Sequence, residues 1–194
     1  MNKQMQQIYL VRHGETEWSL SGQHTSITEI PLTANGRKVA KMFQPLFAKM
    51  KFEMVLTSPM ERARTTCELA GLGTQAEVDQ DLMEWNYGEY EALTSKQIHE
   101  KFRHWMLFKD GCPGGETSEQ VSARADRLIS KVCAAEGNVV LFAHGHILRA
   151  FAARWLGFPV IAGSQFILDT GTLNILSYYQ NIPAVKQWNA PLVL

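Results

Sequence analysis

The stretch "NVVLFAHGHILRAFAARWLG" (138–157) decides how the rest of the chain is read. Residues 138–143 form a short, nearly continuous apolar run, which reads as a strand buried on both faces of a sheet. A helix over 146–156 follows at once, and His144, Gly145 and His146 occupy the junction. A strand without a polar face needs helices above and below its sheet, so one such unit implies others like it.

The chain supplies them. "QIYLV" (7–11) and "FEMVLT" (52–57) are further apolar strands, and "LNILSYY" (173–179) is the last. Thr33 stands as the cap of a helix over 34–50, where Val39, Phe43, Leu46, Phe47 and Met50 fall at helical spacing. Ser58 and Glu61 form a capping-box pair with Pro59 at the first helical position, and that helix ends near "GLG" (71–73). A short strand is expected at 75–80 and a helix near 94–108. Thr117 and Gln120 open another helix, whose buried face is Val121, Ala125, Leu128, Ile129 and Val132. The alternation predicts an α/β fold: a three-layer sandwich with a mainly parallel central sheet and helices on both faces. The 194 residues make one domain, with a small lid insertion near 84–116.

With 19 basic and 19 acidic residues the formal net charge is zero, so neither nucleic acid nor an anionic membrane is expected as a partner. Affinity for an anion must come from a local cluster of cations. No run of about 18 apolar residues is present. The N-terminal MNKQMQQ lacks the apolar centre of a signal peptide, and Cys67, Cys112 and Cys133 are widely spaced and outside any CxxC pattern. These features predict a cytoplasmic protein with reduced thiols. The sequence leaves room for a homodimer.

Ligands of open α/β sheets bind beyond the carboxyl ends of the strands. Three strands here end in loaded sequence: Arg12-His13-Gly14-Glu15, Ser58 with Arg62 one turn on, and His144-Gly145-His146. Two arginine forks and a helix N-terminus suit a phosphate group. A neutral His13 among them can attack phosphorus, provided its other ring nitrogen is held by an acceptor that the Gly14 backbone can bring close. His144 would donate to the equatorial oxygens. Glu84, flanked by Leu82, Trp85 and Tyr87, is the chosen proton donor, since apolar neighbours raise a carboxyl pKa; Glu15, Glu89 and Glu91 are the alternatives. Ser19 is a candidate phosphate contact, Ser58 a cap that can also touch phosphate, and Gly145 and His146 stand at the start of a helix beside the site. His144 and His146 could suggest zinc, but no third ligand stands at suitable spacing and two arginines would repel a cation, so no metal or other cofactor is expected.

"LVRHGETEW", "SPMERARTT", "LMEWNYGEYEAL", "PGGET" and "HGHILRAFAARWLG" together resemble the histidine phosphatase superfamily, in the branch that includes the phosphoglycerate mutases. The resemblance implies a covalent phosphohistidine on His13, with Arg12, Arg62 and His144 as the phosphate pocket and no metal. Within that branch the chain is most similar to the sedoheptulose-1,7-bisphosphatase group. That similarity implies that His24, Thr25 and Tyr87 line the substrate pocket. The mutases normally show Asn at Ser19 and Asn-Glu-Arg at Met83-Glu84-Trp85, and the insertion between Glu84 and His144 is short, which favours hydrolysis over transfer. The expected function is a metal-independent phosphatase of small phosphorylated metabolites, with sugar phosphates or bisphosphates favoured. The alternatives are a phosphoglycerate mutase and a non-catalytic phospho-ligand-binding protein.

Overall fold

A computed structural model of the chain describes residues 6–192. In chain order the elements are β1 (Ile8–Arg12), α1 (Glu17–Ser21), α2 (Ala34–Met42), α3 (Gln44–Phe47), β2 (Met54–Thr57), α4 (Glu61–Leu69), β3 (Glu77–Val78), α5 (Ser95–Lys101), α6 (Leu107–Asp110), α7 (Ser118–Ala134), β4 (Val139–Ala143), α8 (Gly145–Trp155), β5 (Leu173–Tyr179) and β6 (Ile182–Ala190). The six strands form one sheet in the order β3-β2-β4-β1-β5-β6. The pairs β3–β2, β2–β4 and β4–β1 are parallel; β5 and β6 add an antiparallel edge.

The period of two along each strand divides the core between the sheet's faces. Ile8, Leu10, Leu56, Val139 and Leu141 pack with Val121, Leu128 and Val132 of α7 and with Ile147, Leu148 and Phe151 of α8. Tyr9, Val11, Val55, Val140 and Phe142 face the other way, onto Phe43, Phe47, Phe52 and Cys67. Phe47 meets Tyr9, Phe52 and Phe142 edge to face, the arrangement aromatic quadrupoles prefer. The three layers expected from the apolar runs are therefore present. Segment 84–116 sends Trp85, Tyr87, Tyr90, Ile98, Leu107 and Phe108 into the α7–α8 layer, so it shares the domain's core.

Some expected boundaries differ, for local reasons. The helix over 34–50 is two, α2 and α3, because Pro45 cannot donate within a continuous helix. Ser58 does not cap α4. The N-cap is Met60, and Glu29 from a distant loop accepts the Glu61 N–H at 3.0 Å instead. The region 94–108 breaks into α5 and α6 around a turn in which the Trp105 indole donates to the Gly111 carbonyl at 2.7 Å. The Thr117–Gln120 capping box is formed, while Ile129 is only partly buried. Strand β6 was not expected. It follows a two-residue turn in which Gln180 and Asn181 both have positive φ (51° and 66°), the backbone of a tight hairpin without its usual Asn-Gly signature.

Candidate active site

Strands β1, β4 and β2 lie side by side and parallel, so their carboxyl ends open on one edge. The ladder carries on one residue past the strands: the His13 N–H donates to the Ala143 carbonyl and the Ser58 N–H to the Phe142 carbonyl, both at 2.9 Å. This brings His13, His144 and Ser58 together, with the two imidazole centroids 5.2 Å apart. Before them lies a cavity of about 200 Å³ lined by Arg12, His13, Glu84, Tyr87, Gly145 and His146. Ser19, His24, Thr25 and Arg149 line it as well.

His13 Nδ1 lies 2.8 Å from the carbonyl of Gly14. A carbonyl only accepts, so Nδ1 carries the proton and Nε2 is left with a free lone pair. Burial drives the His13 pKa down to about 3, and the Arg12 and Arg62 guanidinium groups push the same way; the Gly14 bond and Glu84 oppose them. The ring is neutral at physiological pH. Gly14 is required by close approach: a Cβ there would sit 2.6 Å from the Gly36 carbonyl oxygen. Its N–H is held by Thr66 Oγ1 at 3.0 Å. Glu15 turns away, accepting from Thr33 Oγ1 at 2.6 Å and from Asn35 at 3.1 Å.

Arg12 is fixed by one bond, from Nη1 to the Leu168 carbonyl at 2.5 Å, and its Nε is buried without a partner among the described residues. Gly145 packs beside this guanidinium, where even a Cβ would make only ordinary van der Waals contact at 3.4 Å. Arg62 and His144 are fully buried and stand behind this wall. Arg62 donates through Nε to His144 Nδ1 at 3.2 Å, through Nη1 to Thr28 O at 3.1 Å, and through Nη2 to Ser26 O at 2.8 Å and Thr25 O at 3.1 Å. One Nη1 proton is left over. His144 thus accepts at Nδ1 and donates from Nε2 to Ser58 Oγ at 2.8 Å. Burial, with Arg62 and His13, holds its pKa well below the ordinary histidine value.

Glu84 departs from the expectation of a raised pKa. Burial alone would raise it, but hydrogen bonding at the N-terminus of α8, led by His146, outweighs that and holds it well below the usual carboxylate range. Oε1 accepts the N–H of Trp85 and of Ile147, both at 2.9 Å, and Oε2 accepts the N–H of His146 at 3.0 Å. The N-terminus of α8, which the sequence offered to a phosphate, holds this carboxylate instead.

The outer wall mixes expected and unforeseen residues. The Tyr87 hydroxyl and His146 Nδ1 share a hydrogen bond of 2.6 Å, and the Tyr87 pKa is pushed well up by burial and by Glu84. His24 lies against Tyr87 at a 42° tilt with centroids 4.7 Å apart, and burial with neighbouring His146 lowers its pKa to about 4. Thr25 lines the cavity and gives its carbonyl to Arg62. The Ser19 hydroxyl closes the capping box of α1 with Thr16, accepting at 2.9 Å and donating at 2.8 Å. Ser58 does not line the cavity; its hydroxyl serves His144 and the Met60 N–H. Arg149 was missed. It lies one helical turn after Gly145, spacing that places both on one face of α8. Its Nε donates to Gly163 O at 2.9 Å, its guanidinium lies 4.9 Å over the Phe108 ring, and its Nη1 has no acceptor among the described residues. His144 and His146 point to different partners, and among the described residues no three His, Cys, Asp or Glu side chains are grouped as metal ligands.

The model of the histidine phosphatase superfamily (branch 1) matches residues 8–191. An acid phosphatase of Mycobacterium tuberculosis is 38% identical, with 90% of this chain and 88% of that one covered. A sedoheptulose 1,7-bisphosphatase of Saccharomyces cerevisiae is 36% identical over 91% of this chain and 77% of its own length. The solved structure of an open reading frame from Mycobacterium tuberculosis superposes with a TM-score of 0.91 at 35% identity, covering 96% of this chain and 98% of that one. With the paired strand ends, the neutral histidine and the buried arginines already in place, these matches make the chain a member of the histidine phosphatase superfamily, branch 1, and a phosphatase.

Proposed function

We propose that the protein hydrolyses a small phosphorylated metabolite through a phosphohistidine on His13, with sugar phosphates and bisphosphates as the favoured substrates. The observation that carries the mechanism is the His13 Nδ1–Gly14 bond of 2.8 Å, which leaves Nε2 as an unprotonated nucleophile in the cavity wall. Arg12, with Nε unpartnered, takes the phosphate oxygens. Arg62, through its spare Nη1 proton, backs the equatorial oxygens as charge shifts in the transition state, while His144, with one ring nitrogen on Arg62 and the other on Ser58, holds that guanidinium in place rather than donating to phosphate itself.

Glu84 is the proton donor to the leaving alcohol and afterwards the base for water. Its proton arrives with the substrate. A phosphate beside an ionised carboxylate raises the carboxyl pKa, so binding favours a shared proton between the two acids. Arg149 supports the bisphosphate preference, since a second anion at the outer wall would meet its free Nη1 edge. The similarity to a sedoheptulose 1,7-bisphosphatase supports the same choice. No helix of the described residues is long and apolar enough to cross a membrane. We place the enzyme in the cytoplasm, a compartment that suits its three free cysteines.

The test is phosphate release without added metal, across sugar phosphates, bisphosphates, phosphoglycerates and nucleotides. Small sugar phosphates should turn over fastest, and 3-phosphoglycerate should yield free phosphate and no 2-phosphoglycerate. Isomerisation to 2-phosphoglycerate would identify a mutase, and no release by the wild-type protein would sink the reading.

A further inference from the structure

Arg124 lies on α7, outside the cavity, yet all five of its guanidinium protons serve the segment that carries Glu84 and that segment's partner, Glu116. Nη1 donates to the carbonyls of Asp81 and Met83, both at 2.8 Å, and Nη2 reaches the carbonyl of Glu84 itself at 3.5 Å. Nε and Nη2 also fork onto the Glu116 carboxylate, each at 2.7 Å. Glu116 holds the same segment from the other end. Its Oε2 accepts the Asn86 N–H at 2.8 Å, its carbonyl accepts the Trp85 indole at 2.9 Å, and its N–H donates to the Asn86 carbonyl at 2.9 Å.

Residues 83–86 belong to no helix or strand, so no ladder satisfies or places their backbone. Arg124 and Glu116 do both. The glycines of "PGGET" permit the approach: a Cβ at Gly115 would lie 2.2 Å from the Asn86 carbonyl oxygen, and one at Gly88 2.2 Å from that of Pro113. The pair is largely shielded, with side-chain exposures of 11% and 20%, and its fork–fork contact is strongly directional. The Glu84 backbone is thereby referenced to a 17-residue helix anchored in the core by Val121, Leu128 and Val132, while its carboxylate is held by α8.

We propose that the Arg124–Glu116 ion pair is the positioning element for Glu84, fixing segment 81–86 so that the carboxyl group meets the leaving oxygen. The inference rests on Glu84 being the proton donor. Acid catalysis matters most for a poor leaving group, so misplacing Glu84 should penalise alkyl phosphates and spare p-nitrophenyl phosphate. The comparison uses kcat/KM, which covers the steps through departure of the alcohol.

The experiment measures kcat/KM on p-nitrophenyl phosphate and on the best sugar phosphate for wild type, Arg124→Lys, Glu116→Gln and Glu84→Gln, with thermal melts and the inhibition constant of inorganic phosphate. Arg124→Lys keeps the charge and removes the fork; Glu116→Gln keeps the shape and removes the charge, and serves if the first variant folds poorly. Both should lose on the order of 10²-fold on the sugar phosphate. They should stay within a few-fold on the aryl ester and keep the phosphate inhibition constant. Equal losses on both substrates, or none, overturn the proposal. A leaving-group bias in Glu84→Gln without one in the other two also overturns it, while no bias in Glu84→Gln removes the premise and the proposal together.

Discussion

Glu84 and His146 are joined through the backbone: the His146 N–H donates to Oε2 at 3.0 Å, while its ring Nδ1, 3.6 Å from the same oxygen, bonds the Tyr87 hydroxyl instead. Before substrate binds, the carboxylate is ionised, as its lowered pKa requires. A dianionic phosphate would be repelled, whereas a monoanion brings the proton that the chemistry later uses. The kcat/KM of wild type should fall about tenfold per pH unit above the second phosphate pKa of about 6. Glu84→Gln should bind inorganic phosphate more tightly at pH 8, because the repelling charge is gone. A pH-independent kcat/KM between 6 and 8, or unchanged phosphate affinity in the variant, would contradict this account.

His13→Ala should lower turnover by on the order of 10⁴-fold or more, while circular dichroism and the melting transition stay native-like. Wild type quenched during turnover should carry acid-labile phosphate on His13, and the variant none. Near-normal activity in the variant would move the nucleophile elsewhere.

Much of this site is legible from sequence because the strand ends that build it sit next to apolar runs. Arg12 and His13 follow Leu10 and Val11, and His144 follows a strand whose every residue is buried. Spacing along the chain could not show that α8 would meet Glu84, some sixty residues earlier; that contact inverts the expected pKa. Arg62 was readable as a candidate phosphate-binding cation, but its burial and its three carbonyl partners come from the loop around Thr25, which has no periodicity to read. Strand β6 escaped because it is an edge strand with Pro183 and Lys186 and no apolar run. Arg149 was readable in principle from its spacing to Gly145, but it stands at no strand end and in no polar cluster that would single it out.

Arg149→Leu tests the outer wall. A charge-assisted bond to a second anion contributes about 1.5–3 kcal/mol, so kcat/KM on a sugar bisphosphate should fall roughly 10- to 150-fold. The monophosphate lacking that group should change little. Equal effects on the two substrates would mean that Arg149 does not meet the second phosphate.

Gly14→Ala places a methyl group against the Gly36 backbone, which cannot swing aside as a side chain would. The displaced loop carries His13 and its carbonyl acceptor. A stability loss of about 1–3 kcal/mol is expected from overpacking. Activity at a temperature where the protein is still folded should drop by more than that loss accounts for. Urea unfolding and initial rates on the same preparation separate the two effects, and unaltered activity per folded molecule would show that the loop tolerates the shift.

Buried neutral histidines make acid stability a further test. His13 and His24 titrate near 3 and 4 when folded, against 6.5 for a free imidazole. Between those limits the unfolded chain binds the extra protons. Stability is thus fully present above pH 6.5 and is lost as the pH falls toward 4, by about 1.4 kcal/mol per pH unit for each such group. Replacing His24 by Gln, which keeps a polar side chain of similar reach to Ser95, should remove one proton from this linkage. The slope of unfolding free energy against pH between 6 and 4.5 should then be shallower by about that amount, read from urea midpoints at a constant m-value. The same slope in both proteins would mean that His24 is already protonated in the folded state.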